Sequence, residues 1–177
     1  NVTTIWSHHY HWIRSGEKPN YQHDSVPFSG DNPSGELDQL RKQLHLLNES
    51  AEPQRMGAAY RLAEMPDQTE TLGIFVEALY SDRESVRRAA THGLVALGGA
   101  ATPTFLEATK SDVKWIRKAG AFGLGDAGHL NQDVLDTLIE VLLADPSIYV
   151  RSVAAGALGC LGRRSAASDL GGKFISR

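Results

Sequence analysis

The chain repeats itself. Val86-Arg87-Arg88-Ala89-Ala90-Thr91-His92-Gly93-Leu94-Val95-Ala96-Leu97-Gly98 lies over Ile116-Arg117-Lys118-Ala119-Gly120-Ala121-Phe122-Gly123-Leu124-Gly125-Asp126-Ala127-Gly128. Each copy runs from an aliphatic residue through Arg and small residues to Leu, then closes on Gly. A third copy extends from Val150-Arg151 through Ala154, Ala157, Leu158 and Leu161 to Gly162, and a looser one holds Arg55, Ala58, Leu62 and Met65. The anchoring arginines, Arg55, Arg87, Arg117 and Arg151, are spaced by 32, 30 and 34 residues. Units of this length cannot bury an apolar face alone and must stack, so a repeat array is the constraint to satisfy first.

Within a copy, Val86, Ala90, Gly93, Leu94 and Leu97 fall on one side of a helix. Small residues there let helices approach closely, and the leucine fills the space between layers. Apolar periodicity then divides the chain into helix pairs: 36–48 with 51–65, 69–80 with 84–97, 102–110 with 113–127, and 132–144 with 147–161. A further helix is expected from Ser165. Ser34 is a candidate helix cap behind Pro33, and Leu37, Leu40, Leu44 and Leu47 form the first stripe. Pro66, Gly98-Gly99, Pro103, Gly128 and Gly162 punctuate the pairs. An acid precedes the second helix in three units, Asp82, Asp112 and Asp145. Such an acid can cap that helix, and Arg87, Arg117 and Arg151 can reach an Asp of the same or the neighbouring unit. The expected result is a structural Asp–Arg ladder.

This motif, Asp, a short turn and Val-Arg-x-x-Ala-Ala-x-x-Leu-x-x-Leu-Gly, resembles HEAT-like repeats, in particular the short type of phycobilisome-lyase-like proteins. The resemblance covers about residues 36 to 164; the first unit departs from it, with Gln54 for the aliphatic residue and Pro66 for the Gly. It implies an all-α fold: a right-handed α-α superhelix of the HEAT/armadillo type, about four and a half helix pairs long, with second helices lining a concave face. It further implies scaffolding and protein binding. Lyase- or chaperone-type subunits also occur among such proteins.

Residues 1–33 read differently. They hold Trp6, Tyr10, Trp12, Tyr21, Phe28 and four of the seven histidines, with prolines between. Residues 2–6 suit a short strand and the rest an irregular arm. The expected division is therefore 1–33 as arm and 34–177 as repeat domain. His8-His9-Tyr10-His11 places His9 and His11 on one face of a strand, the candidate metal ligands of the chain. A closed site needs about four ligands, so these residues are read as arm without metal, and no cofactor is expected. The chain begins at Asn1 without Met or a leader, which reads as a fragment of a longer protein or a processed one. Its first dozen residues faintly resemble the closing strand of phytanoyl-CoA-dioxygenase-like proteins, so an alternative reading makes it the C-terminal regulatory or substrate-docking appendage of a larger enzyme.

The net charge is −3, with both signs intermixed, so neither nucleic acid nor an anionic membrane is the expected partner. A single cysteine, Cys160, rules out an internal disulfide and suits a cytoplasmic location. There is no phosphate loop, nucleophile elbow, CxxC pair or HExxH helix, so the chain itself is not expected to be an enzyme. Function is expected on the concave face. Its seventh motif position reads Tyr60, His92, Phe122 and Gly156; its third reads Met56, Arg88, Lys118 and Ser152. The residue before the motif reads Pro53, Ser85, Trp115 and Tyr149. Aromatics interleaved with Arg make protein-binding anchors. The candidate groove for another protein or a peptide is thus Tyr60, Arg88, His92, Trp115, Lys118, Phe122 and Tyr149.

Overall fold

The computed structural model describes residues 33–46, 51–127 and 130–175, with side chains from 35 to 166 within those ranges. The chain divides into two units, Asn1–Gly30 and Asp31–Arg177, and the described residues belong to the second. Residues 1–32 of the expected arm, with His9 and His11, lie outside them, as does Leu47. Among the described residues the regular structure is all helical.

The described residues form eight successive α-helices: α1 (Pro33–Leu44), α2 (Glu52–Ala63), α3 (Gln68–Leu79), α4 (Glu84–Ala96), α5 (Thr102–Ala108), α6 (Lys114–Asp126), α7 (Gln132–Ala144) and α8 (Ile148–Ile175). Pro33 starts α1 rather than ending the arm. Local chemistry explains several other ends. The Asp67 carboxylate accepts from the Thr69 and Glu70 N–H groups at the start of α3. Asn131 does the same for Val134 at the start of α7. Gly98, with φ of 61°, turns the chain out of α4 in the left-handed conformation that lacks a Cβ penalty, and a 3-10 turn (Gly98–Ala101) leads into α5.

Gly162 does not end a helix in the same way. α8 continues through it to Ile175, absorbing the separate helix expected from Ser165. No proline follows Gly162, and Arg163-Arg164-Ser165-Ala166 is compatible with helix. Arg164 then ties the extension down: its Nη1 donates to the carbonyls of Gly125 and Asp126, each at 2.9 Å, satisfying free acceptors at the end of α6.

Each odd-numbered helix packs on the even-numbered helix after it, and the even-numbered helices pack on one another in the order α2, α4, α6, α8. The core runs continuously between them. Phe75 of α3 and Phe105 of α5 are fully buried. They lie against Gly93 of α4 and Gly123 of α6, whose missing side chains make room for the rings. Val86, Ala90, Leu94, Ile116 and Leu124 form the buried stripe that the motif outlines. No described helix is long and apolar enough to cross a membrane.

Candidate functional site

The repeated arginines are turn clamps first. Arg87 Nη1 donates to the Ser81 carbonyl at 2.7 Å, Arg117 Nη1 to the Ser111 carbonyl at 2.9 Å, and Arg151 Nη1 to the Asp145 carbonyl at 2.8 Å. In each unit the acceptor lies six residues back, just beyond the preceding helix, where carbonyls lack helical partners. Arg55 makes the related bond to the Leu46 carbonyl at 2.9 Å.

This register separates the three acids that sequence reading aligns. Asp145 is equivalent to Ser81 and Ser111, not to Asp82 and Asp112. The Ser81 and Ser111 hydroxyls accept from the N–H two residues on, at 3.2 Å each, and Asp145 Oδ1 accepts from the Ser147 N–H at 2.8 Å. Counting back six residues from each Arg would have revealed this from the sequence. Asp82 and Asp112 are exposed and sit one residue too early to cap: the N-caps of α4 and α6 are Arg83 and Val113, and neither makes a side-chain cap bond. The ladder closes between the third and fourth units. There Arg117 Nε and Nη2 donate to Asp145 Oδ2 and Oδ1 at 2.7 and 3.2 Å, with the carboxylate side chain only 4% exposed. The Arg117 hydrogen bonds hold the Asp145 carboxyl below the usual carboxylate range.

Asp126, in the last turn of α6, has the opposite environment. Its side chain is 6% exposed, Oδ1 is 4.0 Å from Arg164, and Oδ2 is buried without a hydrogen-bond partner. Burial pushes this carboxyl up despite the nearby guanidinium.

The aromatic column is only partly open. His92 is buried at 7% exposure, and its ring meets that of Phe122 edge-on, with centroids 5.7 Å apart and planes at 79°. This contact joins α4 to α6. Phe122 and Tyr60 are half-buried, and Tyr60 packs against the core. Arg88, expected to be available to a partner, pairs with Glu52 across α2 and α4. Trp115 is 44% exposed, with Lys114 Nζ 4.4 Å and Lys118 Nζ 5.8 Å from its ring centroid. Tyr149, at the start of α8, is 65% exposed. Trp115, Lys118 and Phe122 are spaced i, i+3 and i+7, which puts them on one side of α6. The structure therefore brings His92 to Phe122 and Lys118 to Trp115, while Tyr60 and Tyr149 stand on α2 and α8.

Among the described residues there is no group of three or more His, Cys, Asp or Glu side chains placed to hold a metal ion. Comparison with known protein families and with curated proteins finds no match for the chain.

Proposed function

We propose that the chain is a non-catalytic, cytoplasmic α-solenoid of the HEAT type that binds another protein or a peptide along the face formed by its even-numbered helices. The order of helix packing and the recurrence of the Arg clamp support the solenoid reading. One observation carries the binding reading: Trp115 stands nearly half exposed between two lysines, on the same side of α6 as the His92–Phe122 contact. Solvated helix faces ordinarily carry flexible charged residues, whereas an exposed indole with cations around it is the composition of a protein-binding anchor.

In this reading Trp115 and Phe122 supply apolar contact, and Lys114 and Lys118 favour an acidic segment. His92 acts from below, holding the Phe122 ring, and Arg88 contributes after exchanging its bond to Glu52. Tyr60 and Tyr149 extend the surface at either end. The test is selection of binders from a displayed random-peptide library, followed by calorimetry with Trp115→Ala, Phe122→Ala and Tyr60→Ala in chain that stays folded by circular dichroism. Acidic, aromatic-containing peptides should emerge, and loss of an anchor should cost more than about 1 kcal/mol. Peptides that bind all three variants as they bind the parent chain would refute the reading.

A further inference from the structure

The same motif position can be followed through α2, α4, α6 and α8. With the residue before each repeated Arg as the first, the sixth and tenth positions are Ala59 and Ala63, Thr91 and Val95, Ala121 and Gly125, then Ala155 and Gly159. On α2, α4 and α6 all six are buried or half-buried. At the α6–α8 contact the approach is tight: a Cβ on Gly125 would come within 2.6 Å of the Ala157 Cβ. On α8 both positions are exposed, and a Cβ on Gly159 would meet only the end of Arg163, at 3.5 Å. The fourth unit thus displays openly the surface on which each earlier unit seats a helix.

Its partner helix is uncovered as well. Leu138 of α7 is buried as Phe75 and Phe105 are, and the residue after it should match Val76 and Leu106, which are half-buried. That residue, Ile139, is 44% exposed, and Leu143 one turn on is 77% exposed. The charges beside these two residues have one sign. Asp133, Asp136 and Glu140 are all exposed, α7 contains no Lys or Arg, and Asp136, Glu140 and Leu143 are spaced i, i+4 and i+7, on one side of the helix. Along α8, by contrast, Ile148, Ser152, Ala155, Gly159 and Gly162 recur at helical spacing, all exposed and none charged.

We propose that this face of α7 and α8 docks an amphipathic helix of a basic partner protein. Small and aliphatic residues of that helix would lie on the α8 stripe, as Ala157 lies on Gly125, and its lysines or arginines would lie over the α7 acids. The glycine allows close backbone approach, and the α7 acids select the charge of the flank that lies over them, while Arg163 stands beside Gly159 on α8. This surface contains neither Trp115 nor Phe122 and does not depend on them.

The test uses the full chain and a fluorescent, synthetic helical peptide of Leu and Ala with Lys along one flank, beside the same peptide with Glu for each Lys. Anisotropy titration should show saturable, salt-sensitive binding of the Lys peptide and none of the Glu peptide. Leu143→Asp, Glu140→Lys and Gly159→Leu should each weaken binding about tenfold or more, the loss of an anchoring contact, while Phe122→Ala leaves it unchanged. Leu143→Asp is the decisive variant, because it makes the surface more acidic while removing an apolar contact. Tighter binding by that variant would show bare charge attraction and overturn the proposal. Equal binding of both peptides, indifference to Gly159→Leu, or a dimer in sedimentation that Leu143→Asp dissociates would overturn it too, the last by showing a second copy on this face.

Discussion

Gly123→Ala adds one methyl group to the middle of α6, and two effects oppose each other. Alanine is favoured over glycine in a helix interior by about 1 kcal/mol. The new Cβ, however, would lie inside van der Waals contact of three ring carbons of Phe105. To restore the roughly 3.5 Å spacing of carbon atoms the ring must retreat by about 1 Å or more. Phe105 is fully buried, so the ring cannot swing into solvent and must push into the core. Overpacking of this kind costs about 1–3 kcal/mol, and a buried ring with no free side belongs at the upper end. The expected net loss is about 2 kcal/mol by this balance. Gly156→Ala on α8 is the matched control: nothing lies within 4 Å of its Cβ, so it should stabilise by about 1 kcal/mol from propensity alone. Denaturant unfolding of both variants, followed by far-ultraviolet circular dichroism, reads the two signs. Phe105→Leu in the Gly123→Ala background should lose less than the two single losses added, since the smaller side chain relieves the clash. A stabilised Gly123→Ala, or strict additivity with Phe105→Leu, would refute the reasoning.

Asp145 is held below the usual carboxylate range by Arg117, so its native state binds fewer protons than the unfolded chain. Its contribution to stability is present above the unfolded pKa near 3.9 and is lost as pH falls through the lower native value. Asp145→Asn should therefore lower stability at pH 7 by about 2–3 kcal/mol, a mostly buried ion pair broken on one side, and flatten the acid limb of a urea-midpoint profile; an unchanged profile would contradict this. Asp126 has the reverse sign. Burial raises its carboxyl, so its protonated native state is favoured and stability falls as pH rises from the unfolded value through the raised one. Asp126→Asn should raise the urea midpoint at pH 7 and remove that part of the slope, and a lowered midpoint would show that the Arg164 contact outweighs the burial of the charge. Leu94 is fully buried, and Leu94→Ala should cost about 2–5 kcal/mol in equilibrium unfolding. Arg87, half-buried and bonded to a turn carbonyl, should cost less on truncation to Ala, and the reverse order would mean that the clamps rather than packing hold the units together.

Much of the helical architecture was legible because it is local. Helical periodicity is written in successive residues, so Val86, Ala90 and Leu94 identify a buried face without knowledge of what covers it. Helix ends follow from nearby chemistry as well, as at Asp67, Asn131 and Gly98. What eluded sequence reading depends on neighbours distant along the chain. Gly98 ends a helix while Gly162 does not, because Arg164 finds the carbonyls of Gly125 and Asp126 across the α6–α8 interface. The place of Asp145 beside Ser81 and Ser111 can be counted from the repeated Arg, but of the two pairings the sequence leaves open for its carboxylate, only the packing of units selects Arg117 from the previous one. His92 and Trp115 both belong to the aromatic set of the repeat, but packing between α4 and α6 buries one and leaves the other open. The repeat by itself determined which residues face inward from each helix. Only the tertiary structure decided which outward positions remain exposed: the positions that seat a neighbouring helix on α2, α4 and α6 stand open on α8, because burial belongs to the pair of surfaces that meet and not to the residue that carries the motif.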